Sequence, residues 1–368
     1  AEDRKDWISL AFVQAGICVC VPAFLLGALL AEAMPIWPAI ISGSLGYLIV
    51  VVGMVATGMI GCDLGLASCT CCQAGFGKSG ARFIVSTIFA VNMIGWFGIQ
   101  NGVCGQAFIN AMLAMTGWDI PVVVSNTIWG IIKLLTAVYG VHALEKLDKI
   151  SIPLLMIIMC YGTFLAFKVY GTGNLNDEGT VQSMSFMSGV ALSFNFTAVG
   201  TITGPDYTRF QKSRKDTVKS VFYGVFPMGV ITLIMGIVLT KLSGQYDISM
   251  VLIEVGLPLL GIIALVISTW TTNSTNAYSA GLNIVMALKL KDNRRREATL
   301  ISGIVGIVLC DLGILGHVEG VLSLLSYVVC PVGGVILADY WVVGKGKAKN
   351  FRPQDGVNWA GVIAWALG

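Results

Sequence analysis

The sequence predicts an all-α polytopic membrane protein, and its composition, the length of its apolar segments and the lack of strand patterning all indicate this fold class. Hydrophobic residues make up 56% of the 368 residues and charged residues only 12%, and the mean hydropathy is +0.81. Long apolar segments follow one another along the chain, and about 20 such residues cross a bilayer as a helix. Only helices and closed barrels span membranes, and the alternation of apolar and polar residues typical of barrel strands does not occur. We therefore expect a bundle of membrane helices.

The basic residues orient this predicted bundle. Twenty of the 23 Lys and Arg residues fall in the N-terminal segment or in, or at the edge of, alternate gaps between apolar segments. Lys168 and Lys241 lie at the other gaps, and Lys133 lies in the middle of an apolar segment, where we expect it to pair or to reach toward the membrane surface. Because short cytoplasmic loops collect Lys and Arg, the pattern predicts a cytoplasmic N-terminus and cytoplasmic even-numbered gaps.

Ten apolar segments and the start of an eleventh divide the chain. They cover residues 7–31, 36–60, 83–113, 121–140, 150–170, 186–204, 217–240, 250–288, 299–315 and 318–343, and the eleventh begins at 357. We assign residues 1–343 to a ten-helix core and 344–368 to a cytoplasmic loop with the start of a peripheral C-terminal helix. Because 250–288 is longer than one span, we expect Gly256 and Pro258 to separate a short piece from a helix that begins near Leu259. The chain lacks an initiator Met and ends inside an apolar run, so we expect further residues at both ends, including the rest of the eleventh helix.

Helix-breaking residues occur in two segments at matched positions. The first segment contains Gly16 and Pro22, and the sixth contains Gly200, Gly204 and Pro205. Either pattern alone is explained by a proline kink or by loose glycine packing, which are common in membrane helices. Their separation by five helices favours two inverted repeats, about 7–170 and 186–343, whose broken first and sixth helices expose backbone groups to a substrate and an ion. This arrangement indicates a transporter core.

Polar side chains inside two segments indicate what such a core binds. The eighth segment carries hydroxyls and amides from Ser268 to Asn276, which are costly at membrane depth unless they meet partners, as in helix packing, or line a wet cavity. Neutral oxygens without a carboxylate suit a weakly held monovalent cation better than calcium or zinc. In the third segment Trp96 and Gln100 are four residues apart and share a helix face. An aromatic ring beside an amide suits a flat, hydrogen-bonding heterocycle, whereas a lone Trp is more often a packing residue.

Sequence blocks along nearly the whole chain resemble those of the nucleobase–cation symporters, most closely the bacterial cytosine permease branch. The blocks are Phe12-Val-Gln-Ala-Gly16, Gly95-Trp-Phe-Gly98, Pro205-Asp-Tyr-Thr-Arg-Phe210, Trp270-Thr-Thr-Asn273, Tyr278-Ser-Ala-Gly-Leu282, Pro331-Val-Gly-Gly-Val335, Ala338-Asp-Tyr340 and Val357-Asn-Trp359. The resemblance implies a LeuT-like core of five plus five helices with two peripheral helices, the second beyond Gly368. It also implies an integral protein of a bacterial inner membrane.

The resemblance also implies a set of binding residues. Trp96 and Phe196 would sandwich the base, Asn273 would hydrogen-bond its edge, and Gln100 matches a polar neighbour in related hydantoin carriers. Asn195 and Asn276 are further candidates for the cavity wall. Sodium would bind the backbone carbonyls of Gly16 and Cys20 together with Ser268, Thr271 and Thr272. Two positions depart from the pattern expected of cytosine permeases, because Met93, beside Asn92, stands in place of Gln and Ser268 in place of Asn.

The sequence thus predicts a secondary active importer of a nucleobase, with cytosine the first choice, coupled to sodium by alternating access. A purine, uracil, hydantoin or hydroxymethylpyrimidine as substrate, or a proton as coupling ion, are the close alternatives, and a channel is a distant one. We expect no enzymatic activity, no covalent cofactor, no nucleic-acid partner and no obligate protein partner. The run Gly75-Phe-Gly-Lys-Ser-Gly80 lacks the first glycine and the preceding strand of a phosphate loop. Cys69, Cys71 and Cys72 lack the second ligand pair of a zinc site.

Overall fold

The computed structural model describes residues 4–139, 141–176, 184–245 and 247–368, and within these ranges the fold is helical without a sheet. The only pairing of extended chain there is a single bridge between Lys5 and Gln211. The first half of the chain contributes eight helices, which are α1 (Trp7–Cys18), α2 (Val21–Ala33), α3 (Ile36–Leu64), α4 (Ser68–Cys71), α5 (Gln73–Gly80), α6 (Ser86–Thr116), α7 (Val122–Tyr139) and α8 (Val141–Tyr170).

The second half begins with α9 and repeats the long apolar helices. Its elements are α9 (Phe186–Thr197), α10 (Gly200–Thr208), α11 (Arg214–Ser243), α12 (Ile248–Glu254), α13 (Pro258–Ala287), α14 (Arg295–Asp311), α15 (Val318–Leu337) and α16 (Trp359–Leu367). Local sequence sets several helix ends. The hydroxyls of Ser185 and Ser213 cap α9 and α11 by accepting hydrogen bonds from the amides of Ser188 and Asp216, both at 3.1 Å.

Seven stretches of helix among the described residues are long and apolar enough to cross a membrane, and they become eight if α1 and α2 form one bent span. The seven are Ile36–Leu64, Gln73–Thr116, Val122–Tyr139, Ile152–Tyr170, Phe186–Thr208, Arg214–Ser243 and Ile314–Val343. The two other predicted segments form α13, whose middle is rich in polar residues, and α14, which has 17 residues. The predicted division of the eighth segment is confirmed, because α12 ends at Glu254 and α13 begins at Pro258.

The predicted break in the first helix is present, whereas at the predicted break in the sixth helix the structure has only a local tightening of a continuous span. Between α1 and α2 the chain bends by 61°, and Cys20 is fully extended, with φ −139° and ψ 157°. Pro22 then lies in the first turn of α2, where its missing amide leaves no intrahelical bond unmade. Between α9 and α10, by contrast, Ala198 and Val199 keep helical torsions, and the amides of Thr201 and Ile202 bond to carbonyls three residues back. The sixth span is therefore tightened locally rather than unwound.

The helices pack as two bodies. The first body consists of α1, α2, α3, α9, α10 and α11, and the second of α6, α7, α8, α13 and α14. Helix α15 contacts α3, α9 and α10 of the first body and also α6 of the second, and α16 packs on α15. Leu26 and Leu233 lie in a core cluster formed mainly by the first body and Phe97 and Leu134 in one formed by the second, and a third cluster, which includes Phe24 and Leu155, joins the two bodies. The boundary between the bodies is where the candidate binding residues meet.

Candidate functional site

Two aromatic rings meet across this boundary. Trp96 comes from α6 of the second body and Phe196 from α9 of the first. Their ring centroids lie 5.5 Å apart and their planes are inclined at 71°, which is an edge-to-face contact. A flat ring stacked between two parallel walls needs roughly 7 Å between them, since each stacking contact takes about 3.5 Å. The two predicted residues are therefore adjacent, but in this conformation they contact each other directly instead of forming an open slot.

Buried amides flank Trp96 on both sides along α6. Asn92 lies one turn before Trp96 and Gln100 one turn after it, so the three side chains form one stripe. The exposed fractions of Asn92 and Gln100 are only 3% and 4%. Within the described part of the chain, neither the Oδ1 atom of Asn92 nor the Oε1 atom of Gln100 has a hydrogen-bond partner. The resemblance implies no role for Asn92, although its spacing of four residues from Trp96 places both side chains on one helix face.

Asn273 is fully buried and joins the two helices that carry most of the predicted base-binding residues. Its Nδ2 atom donates to the carbonyl of Phe97 on α6 at 3.0 Å, and its Oδ1 atom accepts from Nδ2 of Asn276 at 3.4 Å. A primary amide has two N–H donors and two acceptor lone pairs, so one of each remains. Asn273 and Asn276 thus lie beside the residue that follows Trp96, and they form part of the packing between α13 and α6.

Asn195 is directed toward α15. Its Nδ2 atom donates to the hydroxyl of Ser323 at 3.0 Å, and its backbone carbonyl accepts from the hydroxyl of Ser326 at 3.3 Å. Both contacts tie α9 to α15, so this side chain already has a structural partner.

The residues of the predicted sodium site lie on α1, in the break between α1 and α2, and on α13. The hydroxyls of Thr271 and Thr272 both donate to the carbonyl of Ser268, at 3.1 and 3.0 Å, and this leaves their oxygen lone pairs free. The break between α1 and α2 removes the hydrogen bond that the Gly16 carbonyl would accept from the Cys20 amide in a continuous helix. The Cys20 carbonyl accepts from the amide of Ala23 at 3.0 Å.

These groups are neutral oxygens, which fit a monovalent cation. Helix α2 contacts α13 directly. Like the aromatic pair, this donor set therefore spans the boundary between the two bodies.

Comparison with known proteins identifies the family. A family model described as "Permease for cytosine/purines, uracil, thiamine, allantoin" matches residues 1–368. The cytosine permease of Escherichia coli strain K12 is 29% identical over 371 residues, which cover 99% of this chain and 85% of that protein. The hydantoin permease of Microbacterium maritypicum is 21% identical over 399 residues, covering 100% of this chain and 81% of that protein.

Solved structures show the fold. The inward-facing conformation of Mhp1 matches with a TM-score of 0.85 and 20% identity, over 99% of this chain and 84% of that one. Mhp1, described as a nucleobase-cation-symport-1 family transporter, also matches in a closed conformation with bromovinylhydantoin bound, with a TM-score of 0.79 and 18% identity over 100% of this chain and 91% of that one. The fold is therefore that of the LeuT-like transporters. The chain belongs to the nucleobase–cation symporter family, the permeases for cytosine/purines, uracil, thiamine and allantoin.

Proposed function

We propose that this protein is a secondary active importer of a nucleobase, with cytosine the first candidate, and that it is coupled to sodium by alternating access. The observation that carries the proposal is the stripe of Asn92, Trp96 and Gln100 at the boundary between the two bodies. The Trp96 ring offers a stacking face, and the two amides offer acceptor oxygens without partners in the described chain. Buried acceptors of this kind favour a ligand that presents N–H donors, because an unpaired polar group away from water raises the free energy.

Cytosine meets these requirements, since it is flat and carries N–H donors on its exocyclic amino group and on ring nitrogen N1. The similarity to cytosine permease supports the same choice. In the proposed cycle the base separates Trp96 from Phe196 and stacks between them, while its N–H groups donate to the free amide oxygens. Because a ligand shifts an equilibrium only through its different affinities for the two states, these contacts must be best in the closed state.

Sodium is the proposed coupling ion. The carbonyls of Gly16 and Cys20 and the oxygens of Ser268, Thr271 and Thr272 would hold it across the boundary, so that ion binding draws α2 and α13 together. The inward gradient and the membrane potential would drive accumulation, and one charge that crosses 100 mV supplies about 2.3 kcal/mol. We place the core at 1–343, with residues 344–368 as a loop and peripheral helix, in a bacterial inner membrane with the N-terminus cytoplasmic.

Uptake of radiolabelled bases into proteoliposomes tests this function. Cytosine, uracil, a purine and a hydantoin should each be offered with an inward gradient of sodium, with an inward proton gradient, and with neither. We expect accumulation of cytosine that depends on sodium. Passive equilibration of the base without accumulation would indicate a channel, and accumulation driven by protons alone would contradict sodium coupling.

Substitution of Trp96 tests the site itself. Trp96→Ala should abolish uptake because the stacking face is lost, while the purified protein remains folded and monodisperse. Trp96→Phe, which keeps an aromatic face, should retain part of the activity. Normal uptake by Trp96→Ala would exclude this residue from the site.

A further inference from the structure

Lys133 is a cation buried in the second body. It lies in α7, and its side chain is fully buried, so it does not extend to the membrane surface. Its ammonium donates to Oδ1 of Asn101 on α6 at 3.4 Å, and the thiols of Cys104 and Cys310 lie beside it. Among the described residues no carboxylate forms an ion pair with it. A buried charge of this kind is expensive, and in a membrane protein it indicates a functional role by default.

A small polar cluster surrounds this cation. Nδ2 of Asn101 donates to the carbonyl of Asn126 on α7 at 2.7 Å, so Asn101 is bonded at both ends to the same helix. On the opposite side, the hydroxyl of Ser274 on α13 donates to the backbone carbonyl of Lys133 at 3.0 Å. Helix α7 therefore contacts both α6 and α13 through polar bonds that centre on one residue.

These bonds lie directly behind the candidate base-binding residues. Asn101 follows Gln100 in the chain, and Ser274 follows Asn273. Because adjacent residues on a helix point about 100° apart, a bond that holds Asn101 also sets the rotation and height of Gln100. The same argument applies to Ser274 and Asn273. The helices α6 and α13 are also joined by the Asn273 amide itself.

We propose that Lys133 is a positioning residue for the substrate site. Its ammonium, bonded to Asn101, holds α6, and its backbone carbonyl, bonded to Ser274, holds α13, at the rotation that presents Gln100 and Asn273 to the ligand. This inference rests on the proposed function. The positioning by Lys133 affects the affinity for the substrate rather than the turnover rate. A methionine at this position would fill similar space without the charge, so the structure alone gives no packing reason for a lysine here.

The variants Lys133→Met and Asn101→Leu test the proposal in proteoliposomes with cytosine as the probe. We expect Lys133→Met to raise KM about tenfold and to change Vmax less than twofold, with a melting temperature equal to or above that of the wild type, since a buried charge has been removed. Asn101→Leu should raise KM to a similar extent but lower the melting temperature, because it leaves the ammonium without its acceptor. The double variant should recover the melting temperature without a further rise in KM, as coupled neighbours do.

Thr136→Val is the matched control. It removes another polar contact between α7 and α13, the 3.0 Å bond from Trp270 Nε1 to the Thr136 hydroxyl, at a distance of one helical turn from Lys133. It should leave KM unchanged. A KM of Lys133→Met within twofold of the wild type overturns the proposal, and so does a rise of equal size in Thr136→Val.

Asn101→Leu covers the case in which Lys133→Met does not fold, because it removes the acceptor of the ammonium, and an unchanged KM in it overturns the role of the Lys133 side chain. Ser274→Ala removes the separate bond to the Lys133 backbone carbonyl, which Lys133→Met leaves in place, and should raise KM about threefold; an unchanged KM there counts against the α13 half of the proposal. The two hypotheses fail separately. Wild-type protein that takes up none of the four bases refutes the proposed function, whereas normal wild-type uptake with unchanged KM in the variants refutes only the role of Lys133.

Discussion

At the scale of single residues, Asn92 and Gln100 are the side chains best placed to select a ligand with N–H donors. Each side chain places an acceptor oxygen in the protein interior without a partner in the described chain, one turn from Trp96. In a site of pure packing such groups lower the stability, because an unsatisfied buried polar atom costs about 1–3 kcal/mol. In a binding site the same groups are satisfied only when the ligand is present.

Opposite changes in stability and affinity are therefore expected for Asn92→Leu and Gln100→Leu. Each should hold or raise the melting temperature of the ligand-free protein, since the unpaired oxygen is removed. Each should also weaken base binding about tenfold, which corresponds to about 1.4 kcal/mol for one lost hydrogen bond. Thermal melts with and without the base, together with binding isotherms, measure both quantities. A variant that loses stability and keeps its affinity would show that the amide serves packing and not recognition.

The proposed ion site can be tested at one hydroxyl on α13. Thr272→Ala removes an oxygen from the proposed sodium ligands but keeps the helix, so the sodium concentration for half-maximal uptake should rise roughly tenfold while the maximal rate at saturating sodium changes little. Thr272→Ser keeps the oxygen and is the control. Sodium activation curves measured for both variants decide the matter, and an unchanged half-maximal concentration in Thr272→Ala would remove this hydroxyl from the ion site.

Close approach of helices explains the tight packing of the first body. Helices α2 and α11 cross at Gly27 and Gly236, where a Cβ atom added to Gly236 would lie only 2.2 Å from the carbonyl oxygen of Phe24. Small residues allow membrane helices to pack backbone against backbone in this way. Gly236→Ala should therefore destabilise the protein by about 1–3 kcal/mol, the usual effect of overpacking. Gly334→Ala on α15 is the control, because an added Cβ there meets no atom within 4 Å. Equal melting temperatures for the two variants would contradict a close backbone contact between α2 and α11 at Gly236.

The sequence predicts the elements well because their signals are local. Apolar length and proline or glycine punctuation gave the helices, the bend before Pro22 and the division at Pro258. The sequence does not predict whether the sixth span is unwound or only tightened, because Gly200 permits both a break and a tight turn. The bond from Asn273 to the Phe97 carbonyl and the burial of Lys133 depend on the approach of helices far apart in the chain, which one sequence does not encode locally. The stripe that includes Asn92, by contrast, follows from helical spacing alone.

At the scale of the whole molecule, the aromatic pair and the ion donors share one property. Trp96 and Phe196 lie on opposite bodies, and the proposed sodium ligands likewise come from two sides, the break between α1 and α2 and the hydroxyls of α13. A base that enters between Trp96 and Phe196 must move the two bodies relative to each other, because the two rings are now in contact. An ion held between α2 and α13 would instead favour the contact between these two helices. In the proposed cycle, coupling between ion and base would need no direct bond between them, because both ligands would act on the same boundary.

A charged network anchors the end of α15 to the first body. Arg214 at the start of α11 donates from Nε to both carboxylate oxygens of Asp63 on α3 at 3.0 Å, and its Nη2 atom reaches the carbonyl of Gly346 at 2.6 Å. The hydroxyl of Tyr340, in the π-helical segment Ala338–Val343 that continues α15, donates to the same carboxylate at 2.5 Å. Loss of one charge leaves Asp63, whose side chain is 16% exposed, without its main partner.

Arg214→Gln should therefore loosen this end of the molecule. Cys62, which neighbours Asp63 and is 5% exposed, is a natural probe in a variant whose other cysteines are replaced by serine or alanine. We expect its labelling by a fluorescent maleimide to accelerate about fivefold, since a change of about 1 kcal/mol in a local opening equilibrium has that effect. Lys78→Gln is the control, because it removes an ion pair whose two side chains are 52% and 91% exposed and which contributes little. If both variants are labelled at the wild-type rate, the network does not restrain α15, and the packing of α15 on α3, α9 and α10 is then sufficient to hold it against the first body.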